Sequence, residues 1–574
     1  MGGLFGSIRA AGLALQAQEQ VMAVTANNIA NVQTPGYEEE QANLAPAPPL
    51  PPPGMNMPAM PGQMGTGVVV TGITSQDSPF LDAQAYAASS TLNDQLTIQN
   101  ALSQVQSIFN EPSTSGLSST LSAFWNDWQS LANDPSNVSA RTTVISQGQA
   151  VAQVFNTIDS QLTQLQGSLD STVGSQVQQI NQIASQIAKL NQQIVGVTAA
   201  GQEPNTLQSE RAALLTQLAT YTQFQETPQT NGADVITIGG VNLVAGNHTT
   251  TLVATSNGSN HGYQALSWQG FNTVPVDLGP GTLSESINLR DNTIPGYESQ
   301  LNSVANALAT AVNGRPTTAP AATTLTGTTG LAAGSYEVAY TIVTPQGETE
   351  ASPVATVTLT AAGGEIQVPP VAVPSGDTVN YYMSTAAGST TLGLAASGSG
   401  STTVTLTALP APTAAAPPTA GMGQYGGYAI GASTPTQTDF FTGSTAAGIA
   451  VNPALVSNPA LLGAAASSPG TAGDGTNALN ISDIQNQTWL GDATIGGAYG
   501  AMISQLGSQA SAANNNVQTQ QLLVNSIAQE RSAVSGVDLN QELTNLVSSQ
   551  QAYGAAADVI QVVNQMLSAL MAAV

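Results

Sequence analysis

The two ends of the chain carry the same hydrophobic rhythm. Leu4, Ile8, Ala11, Leu15, Gln18, Met22, Thr25 and Ile29 stand at alternating steps of four and three. So do Leu539, Leu543, Leu546, Gln550, Tyr553, Ala557, Ile560, Asn564, Leu567, Met571 and Val574. A mean period of about 3.5 keeps one helix face turned to a partner, so both ends are predicted to form long helices that pair as a coiled coil. Small and polar members, among them Ala11, Gln18, Gln550 and Asn564, weaken an isolated pair. Periodicity alone leaves two readings open. Either both helices belong to one ordinary bundle, or they meet each other and pack only within an oligomer, fraying and inviting protease in the monomer.

Between the ends the pattern changes twice. From Ser89 to about Tyr221 it is helical; Val177, Ile180, Ile183 or Ala184, Ile187, Leu190 and Ile194 fall at steps of three and four, with Gln, Asn and Ser opposite. Residues 234–245 read as a β-hairpin around Gly239-Gly240, short strands follow to about Trp268, and a helix returns over 285–313. In 317–421 the period becomes two, with Tyr336, Val338, Tyr340 and Ile342 on one face, and later Val357 and Leu359, Val379, Tyr381 and Met383, Val404 and Leu406. Turn-forming residues separate these runs, which predicts an inserted β-sandwich of the fibronectin type III kind.

The expected fold class is therefore α+β and multidomain, with an elongated helical bundle carrying a small β portion. Residues 1–36 with 535–574 form a terminal α-helical assembly domain, and 37–88 an extended, Pro-rich and β connector. Residues 89–316 with 422–534 form a helical rod-like domain with a β-hairpin region near 230–270, and 317–421 the inserted β-sandwich. The Pro-rich run 45–62 reads as a polyproline-like linker.

Composition narrows the function by exclusion. Charged residues are 7% of the 574, against roughly 25% in a typical soluble domain. With 7 basic and 33 acidic residues the net charge is −26, and Lys189 is the single lysine. Nucleic acid and anionic membrane surfaces need clustered basic residues, so neither is an expected partner. The chain has no cysteine, which removes disulfides, thiolate metal sites and Cys nucleophiles. The first twenty residues lack the continuous apolar core of a Sec-type signal, and no stretch of ~18 apolar residues is long enough to insert into a membrane.

Candidate chemistry is sparse. His248 and His261 have no second ligand at helical spacing, so no metal is expected. No Walker, dinucleotide or Gly-x-Ser-x-Gly pattern is present. Tyr37 and Tyr553 have no base beside them, and the Glu38-Glu39-Glu40 run reads as a solvated turn. No catalytic residue, cofactor or enzymatic activity is expected.

Directly after the first predicted helix comes Ala26-Asn27-Asn28-Ile29-Ala30-Asn31-Val32-Gln33-Thr34-Pro35-Gly36-Tyr37. Locally it is a helix stop, with Asn side chains able to bond nearby carbonyls and a Pro-Gly turn behind them. The same string resembles the signature shared by flagellar rod, hook and hook-associated proteins. Residues 64–90, 116–135 with Phe124, Trp125 and Trp128, 204–221 with Glu210-Arg211, and 287–313 then resemble segments of the hook-associated family of the hook–filament junction. Asp439-Phe440-Phe441 and 535–567 extend the likeness. Two features depart from that pattern: three glutamates follow Tyr37 where the family has a basic pair, and the Pro-rich run is long.

The resemblance implies a non-enzymatic structural subunit, secreted through the flagellar type III export apparatus with an export chaperone. It implies an extracellular place at the hook–filament junction. Its partners would be copies of itself in a helical or ring homo-oligomer, the hook protein and a second junction protein. The residues it implies for assembly are Asn27, Asn28, Ile29, Ala30, Asn31, Thr34, Pro35, Gly36 and Tyr37, with Leu539, Leu543, Leu546, Tyr553, Ile560 and Leu567. Two alternatives remain: another axial protein of the hook or distal rod, or a surface-binding adhesin role carried by the insert.

Overall fold

The computed structural model describes residues 2–34, 37–48, 65–270, 274–327, 330–344, 347–371, 377–411, 413–418 and 423–572. In chain order its helices are α1 (Gly2–Asn31), α2 (Pro79–Phe109), α3 (Leu117–Asn133), α4 (Val138–Ala199), α5 (Asn205–Tyr221), α6 (Thr282–Asn288), α7 (Ile294–Asn313), α8 (Pro453–Ser457), α9 (Thr476–Asp483), α10 (Ile495–Ser535) and α11 (Leu539–Ala572). The architecture is α+β. Two compact units are present: residues 1–99, 170–287 and 513–574, and residues 100–169 and 288–512. Pro35, Gly36 and most of the Pro-rich run lie outside the described residues.

In the first unit, α1 packs along α11 and against a two-stranded sheet of β1 (Glu40–Pro46) and β2 (Val68–Ser75). The strands are antiparallel, Glu40 opposite Ser75 and Pro46 opposite Val68. The α4 stripe Val177, Ile180, Ala184 and Ile187 is buried with Leu215 and Leu218 of α5. It also covers the four-stranded sheet of β3 (Gln225–Pro228), β4 (Asp234–Ile238), β5 (Val241–Ala245) and β6 (His248–Thr249). That sheet buries alternate residues, Ile236 and Ile238 on β4, so a period of two meets a period of 3.6 across one core. The chain reverses at Gly239 and Gly240, whose φ values of 53° and 82° favour glycine. Trp268, at the end of β8 (Gln264–Trp268, paired with β7, Leu252–Ser256), closes the same core.

One polar network fastens this sheet to the helices. The Arg211 guanidinium pairs with Asp234 at 2.6 Å, and both groups are nearly buried. Arg211 also donates to Asn191 Oδ1, whose amide donates to the Asp234 and Gly246 carbonyls. The acidic partner of Arg211 is thus Asp234, brought in by the fold, and not its neighbour Glu210. Breaking a buried pair of this kind strands a charge and costs about 3–5 kcal/mol.

In the second unit, α3 packs on α9 and buries Leu117, Leu121, Phe124, Trp125, Trp128 and Leu131. Phe440 lies 5.5 Å from the rings of both Phe124 and Trp128, and edge-on to Phe441. Asn313 at the end of α7 holds that dipeptide in place: its Oδ1 accepts from the Phe440 and Phe441 amides, and its Nδ2 donates to the Phe441 carbonyl. Asp439 takes a bidentate pair from Arg315, itself stacked over Tyr425.

The single helix expected over 285–313 is interrupted by a π-helical turn, Leu289–Thr293, between α6 and α7. Pro295 explains the break: it lacks an N–H and crowds the carbonyl four residues back, so the backbone re-phases just upstream.

The remaining strands of this unit form two sheets. One runs β11 (Gly347–Glu348), β10 (Gly334–Thr344), β14 (Thr378–Ser384), β15 (Leu392–Gly398), with β12 (Ala355–Leu359) also on β10. The other runs β16 (Val404–Leu406), β13 (Glu365–Val368), β9 (Thr323–Leu325). They share one core, in which Tyr336, Val338 and Ile342 meet Ile366, Val379 and Leu406.

The candidate assembly site at the paired termini

The signature begins on the last turn of α1 and converges on one side chain. Asn28 is 1% exposed. Its Nδ2 donates to the Glu40 carbonyl (2.8 Å) and to Glu542 Oε2 on α11 (3.2 Å). Its Oδ1 accepts from the Glu40 amide (3.0 Å) and the Tyr37 hydroxyl (2.9 Å). One amide therefore ties α1, the first residue of β1 and the C-terminal helix together. A primary amide carries two N–H donors and an oxygen with two lone pairs, which matches the two bonds given and the two accepted here.

The neighbours support that geometry. Exposed Asn27 donates to the Tyr37 hydroxyl, and Asn31 donates back to the Asn27 carbonyl and side chain. Exposed Thr34 bonds Asn31 Oδ1, and its carbonyl accepts from the Tyr37 amide, which shapes the exit from the helix. Ile29 is half-buried and Ala30 exposed. Burial, then the Glu40 and Glu542 carboxylates, push the Tyr37 hydroxyl up to about 12, against the opposing Asn27 bond. It stays protonated and remains a donor to Asn28.

The three glutamates do not form a solvated turn. All three are half-buried and lead into β1. Glu38 accepts from Arg531 (3.1 Å) and Ser75, and the Arg531 Nε also pairs with Asp82 at 2.7 Å. The Glu39 amide donates to the Ser535 carbonyl at the end of α10. Burial, then Glu542 and Asp538, raise the Glu39 carboxyl. Asp82 is pushed up to about 6 by burial, although Arg531 opposes the shift. The acidic run is kept in place because α10 delivers an arginine to it, which nothing local to residues 38–40 foretells.

On α11 the side turned inward is Glu542, Leu546, Ser549, Ala556, Ile560, Val563 and Leu567, all buried or half-buried. Leu539, Leu543 and Tyr553 are exposed, as are Val547, Val559, Val562 and Met566. Of the C-terminal residues singled out by sequence, Leu546, Ile560 and Leu567 thus face inward and the other three do not. Glu542, Arg531 and Asp82 were missed; the one available signal was that position 542 shares a helical phase with Leu546, Ser549 and Val563.

Among the described residues no three His, Asp or Glu side chains are grouped to hold a metal, and no helix is long and apolar enough to cross a membrane. Both histidines are exposed.

Comparison with known proteins places both ends and the middle of the chain. Residues 8–37 match the model of the flagella basal body rod protein, and 528–573 that of the flagellar basal body rod FlgEFG protein C-terminal region. These are the segments that meet at Asn28, and they make the chain a structural protein of the flagellar axial class. Residues 102–332 match the flagellar hook-associated protein FlgK helical domain. Flagellar hook-associated protein 1 of Escherichia coli (strain K12) is 25% identical over 97% of both chains, and that of Salmonella typhimurium 26% identical over 97% of this chain and 98% of that one. The Bacillus subtilis (strain 168) protein of the same name is 34% identical over 40% of this chain and 46% of its own length. The flagellar hook junction protein FlgK from Burkholderia pseudomallei has a similar fold, with a TM-score of 0.50 at 20% identity over 79% of this chain and all of that one. The likeness to flagellar hook-associated protein 1 thus runs over nearly the whole chain.

Proposed function

We propose that the chain is the subunit that joins hook to filament, polymerising through its paired terminal helices. The observation that carries this reading is on α11: one face is locked to α1 through Asn28 and Glu542, while Leu539, Leu543, Val547, Val562 and Met566 lie exposed on the sides turned away from it. Contact with neighbouring copies would bury those sides, each Å² of apolar surface contributing about 25 cal/mol. A head-to-tail contact repeated about a screw axis then generates a tube instead of a closed dimer.

In this reading, residues 1–36 and 535–574 pair as a coiled coil and form the assembly domain, joined through 37–88 to a helical rod of 89–316 with 422–534. The two sheets of 317–421 sandwich their shared core as an inserted module. The subunit works outside the cell at the hook–filament junction, carries no catalytic activity, and contacts hook protein on one side and a second junction protein on the other. It reaches that place through the type III export apparatus with a chaperone on its terminal segments.

The test is a deletion strain complemented with the full chain. Without it, filament subunits are expected to appear unpolymerised in the medium, and complementation restores attached filaments. Attached filaments in the deletion strain would overturn the reading.

A further inference from the structure

Assembly through the termini leaves one feature of the second unit unexplained: a cleft of about 590 Å³ between α7 and the strands that follow it. That volume lies in the ~300–1,000 Å³ range of small-molecule sites. Its helical wall carries Glu298, Asn302 and Asn306, one every fourth residue, flanked by Ser299 and Ser303. The facing wall is Pro320, Tyr340, Pro369 and Pro370. The opposite side of α7 is apolar and buried, with Leu301, Val304 and Leu308. The polar stripe is therefore the side of the helix that the core does not claim.

The two walls have different chemistry. Proline rings offer no N–H and the Tyr340 hydroxyl is engaged with Thr318, so that wall is an apolar shelf. Glu298 on the other wall accepts from Gln166 through Oε2, while its Oε1 is buried without a hydrogen-bond partner. An unfilled buried acceptor is destabilising, and a ligand hydroxyl would satisfy it. Burial first, then the Asp159 carboxylate, push Glu298 up to about 7, against the Gln166 bond. No Lys or Arg lines the cleft, so a phosphate or carboxylate ligand would find no counter-charge.

We propose that this cleft binds a neutral saccharide of one or two pyranose rings, the C–H face of a ring against the Pro369-Pro370 pair and a ring hydroxyl donating to Glu298 Oε1. A pyranose has this division, an apolar face and a hydroxyl rim, and the amide and hydroxyl side chains of α7 suit the rim. The site is additional to the junction role and does not depend on it.

The experiment uses the full chain with N-acetylglucosamine, glucose and galactose at millimolar concentration, read by saturation-transfer NMR and calorimetry. Saturable binding of at least one sugar is expected. Ser303→Trp and, separately, Ser299→Trp should abolish it, because both positions are exposed and a large ring there fills the cleft without touching the core. Glu298→Gln should weaken binding about tenfold, with an unchanged melting temperature at about pH 5, where the native carboxyl is itself neutral. No binding of any of the three sugars overturns the proposal, and so does binding that survives both tryptophans in folded protein.

Discussion

Replacing Asn28 with alanine should open the joint between the two ends of the chain while leaving the rest folded. The substitution deletes four hydrogen bonds at once. Tyr37 keeps its bond from Asn27, and Glu542 keeps Asn545 on its other oxygen. The Glu40 amide and Glu542 Oε2 lose the partners described above. At about 1 kcal/mol for each of the four bonds the loss is roughly 4 kcal/mol of local stability, and about 2 kcal/mol if each contributes half of that. Amide hydrogen exchange reads this directly. Protection of the Glu40 amide and of the amides in the first half of α11 should fall roughly 30- to 700-fold, since each 1.4 kcal/mol is a factor of ten. The core amides of α4 around Ile180 and Ile187 should not change. Asn28→Asp should do at least as much harm, because a carboxylate would face Glu542 and the Glu40 carbonyl with no proton to give. Asn27→Ala, at an exposed position, should cost under about 1 kcal/mol. Equal losses in Asn27→Ala and Asn28→Ala, or undiminished protection at Glu40, would refute the argument that the buried amide is the joint.

Acidity should stabilise the fold. Burial raises Asp82 to about 6, Glu298 to about 7 and Asp377 to about 6, and burial beside Asp234 raises Glu226. Each folded-state value lies above the unfolded one, so the native protein holds extra protons between them; their contribution is full below ~4 and is lost as pH rises through 6 to 7. The melting temperature by calorimetry should therefore be several degrees higher at about pH 5 than at about pH 8.5, and an inverse order would contradict these assignments. Arg531→Met should cost about 1.5–3 kcal/mol at the higher pH, where Asp82 is charged, and clearly less at the lower, where it is protonated. Two helical glycines should respond with opposite sign in a thermal scan. Gly507 faces open space, so Gly507→Ala should gain roughly 0.5–1 kcal/mol of helix propensity. A Cβ on Gly148 would stand 2.5 Å from the Phe440 ring, so Gly148→Ala should lose about 1–3 kcal/mol to overpacking.

Local patterns were legible and distant pairings were not. The alternation from Gly334 to Thr344 is a strand over those same residues, because a period of two needs only near neighbours to be seen. The α1 positions read from the 4–3 rhythm, Ile8, Ala11, Leu15, Gln18, Met22, Thr25 and Ile29, are all buried or half-buried. On α11 the same rhythm is ambiguous. Apolar residues occur at 546 and 547, 559 and 560, 562 and 563, 566 and 567, so two seams one step apart fit equally well. The seam that α1 occupies runs through Glu542 and Ser549, which no hydrophobic count selects. The glutamates after Tyr37 depart from a solvated turn for a related reason: three adjacent carboxylates favour water unless a cation arrives, and theirs stands 493 residues away from Glu38.

That ambiguity on α11 has a functional side. A helix with one partner needs one apolar stripe, and a second stripe costs solubility unless something covers it. Here the inner seam mixes apolar residues with Ser549 and with Glu542, whose hydrogen bond from Asn28 fixes one register against α1. The exposed surface carries Leu539, Leu543, Val547, Val559, Val562 and Met566 among uncharged Asn, Gln, Ser and Thr, and Glu542 and Asp558 are the only charged residues along α11. Glu542 is consumed by the joint, which leaves one carboxylate to hold copies apart. On the proposed reading, association of subunits then draws on buried area and amide contacts, with little Coulombic attraction or repulsion across the contact. Salt screens charge pairs but does not weaken apolar burial. The assembled termini should accordingly tolerate wide changes of ionic strength, which suits a joint that must hold wherever the cell swims.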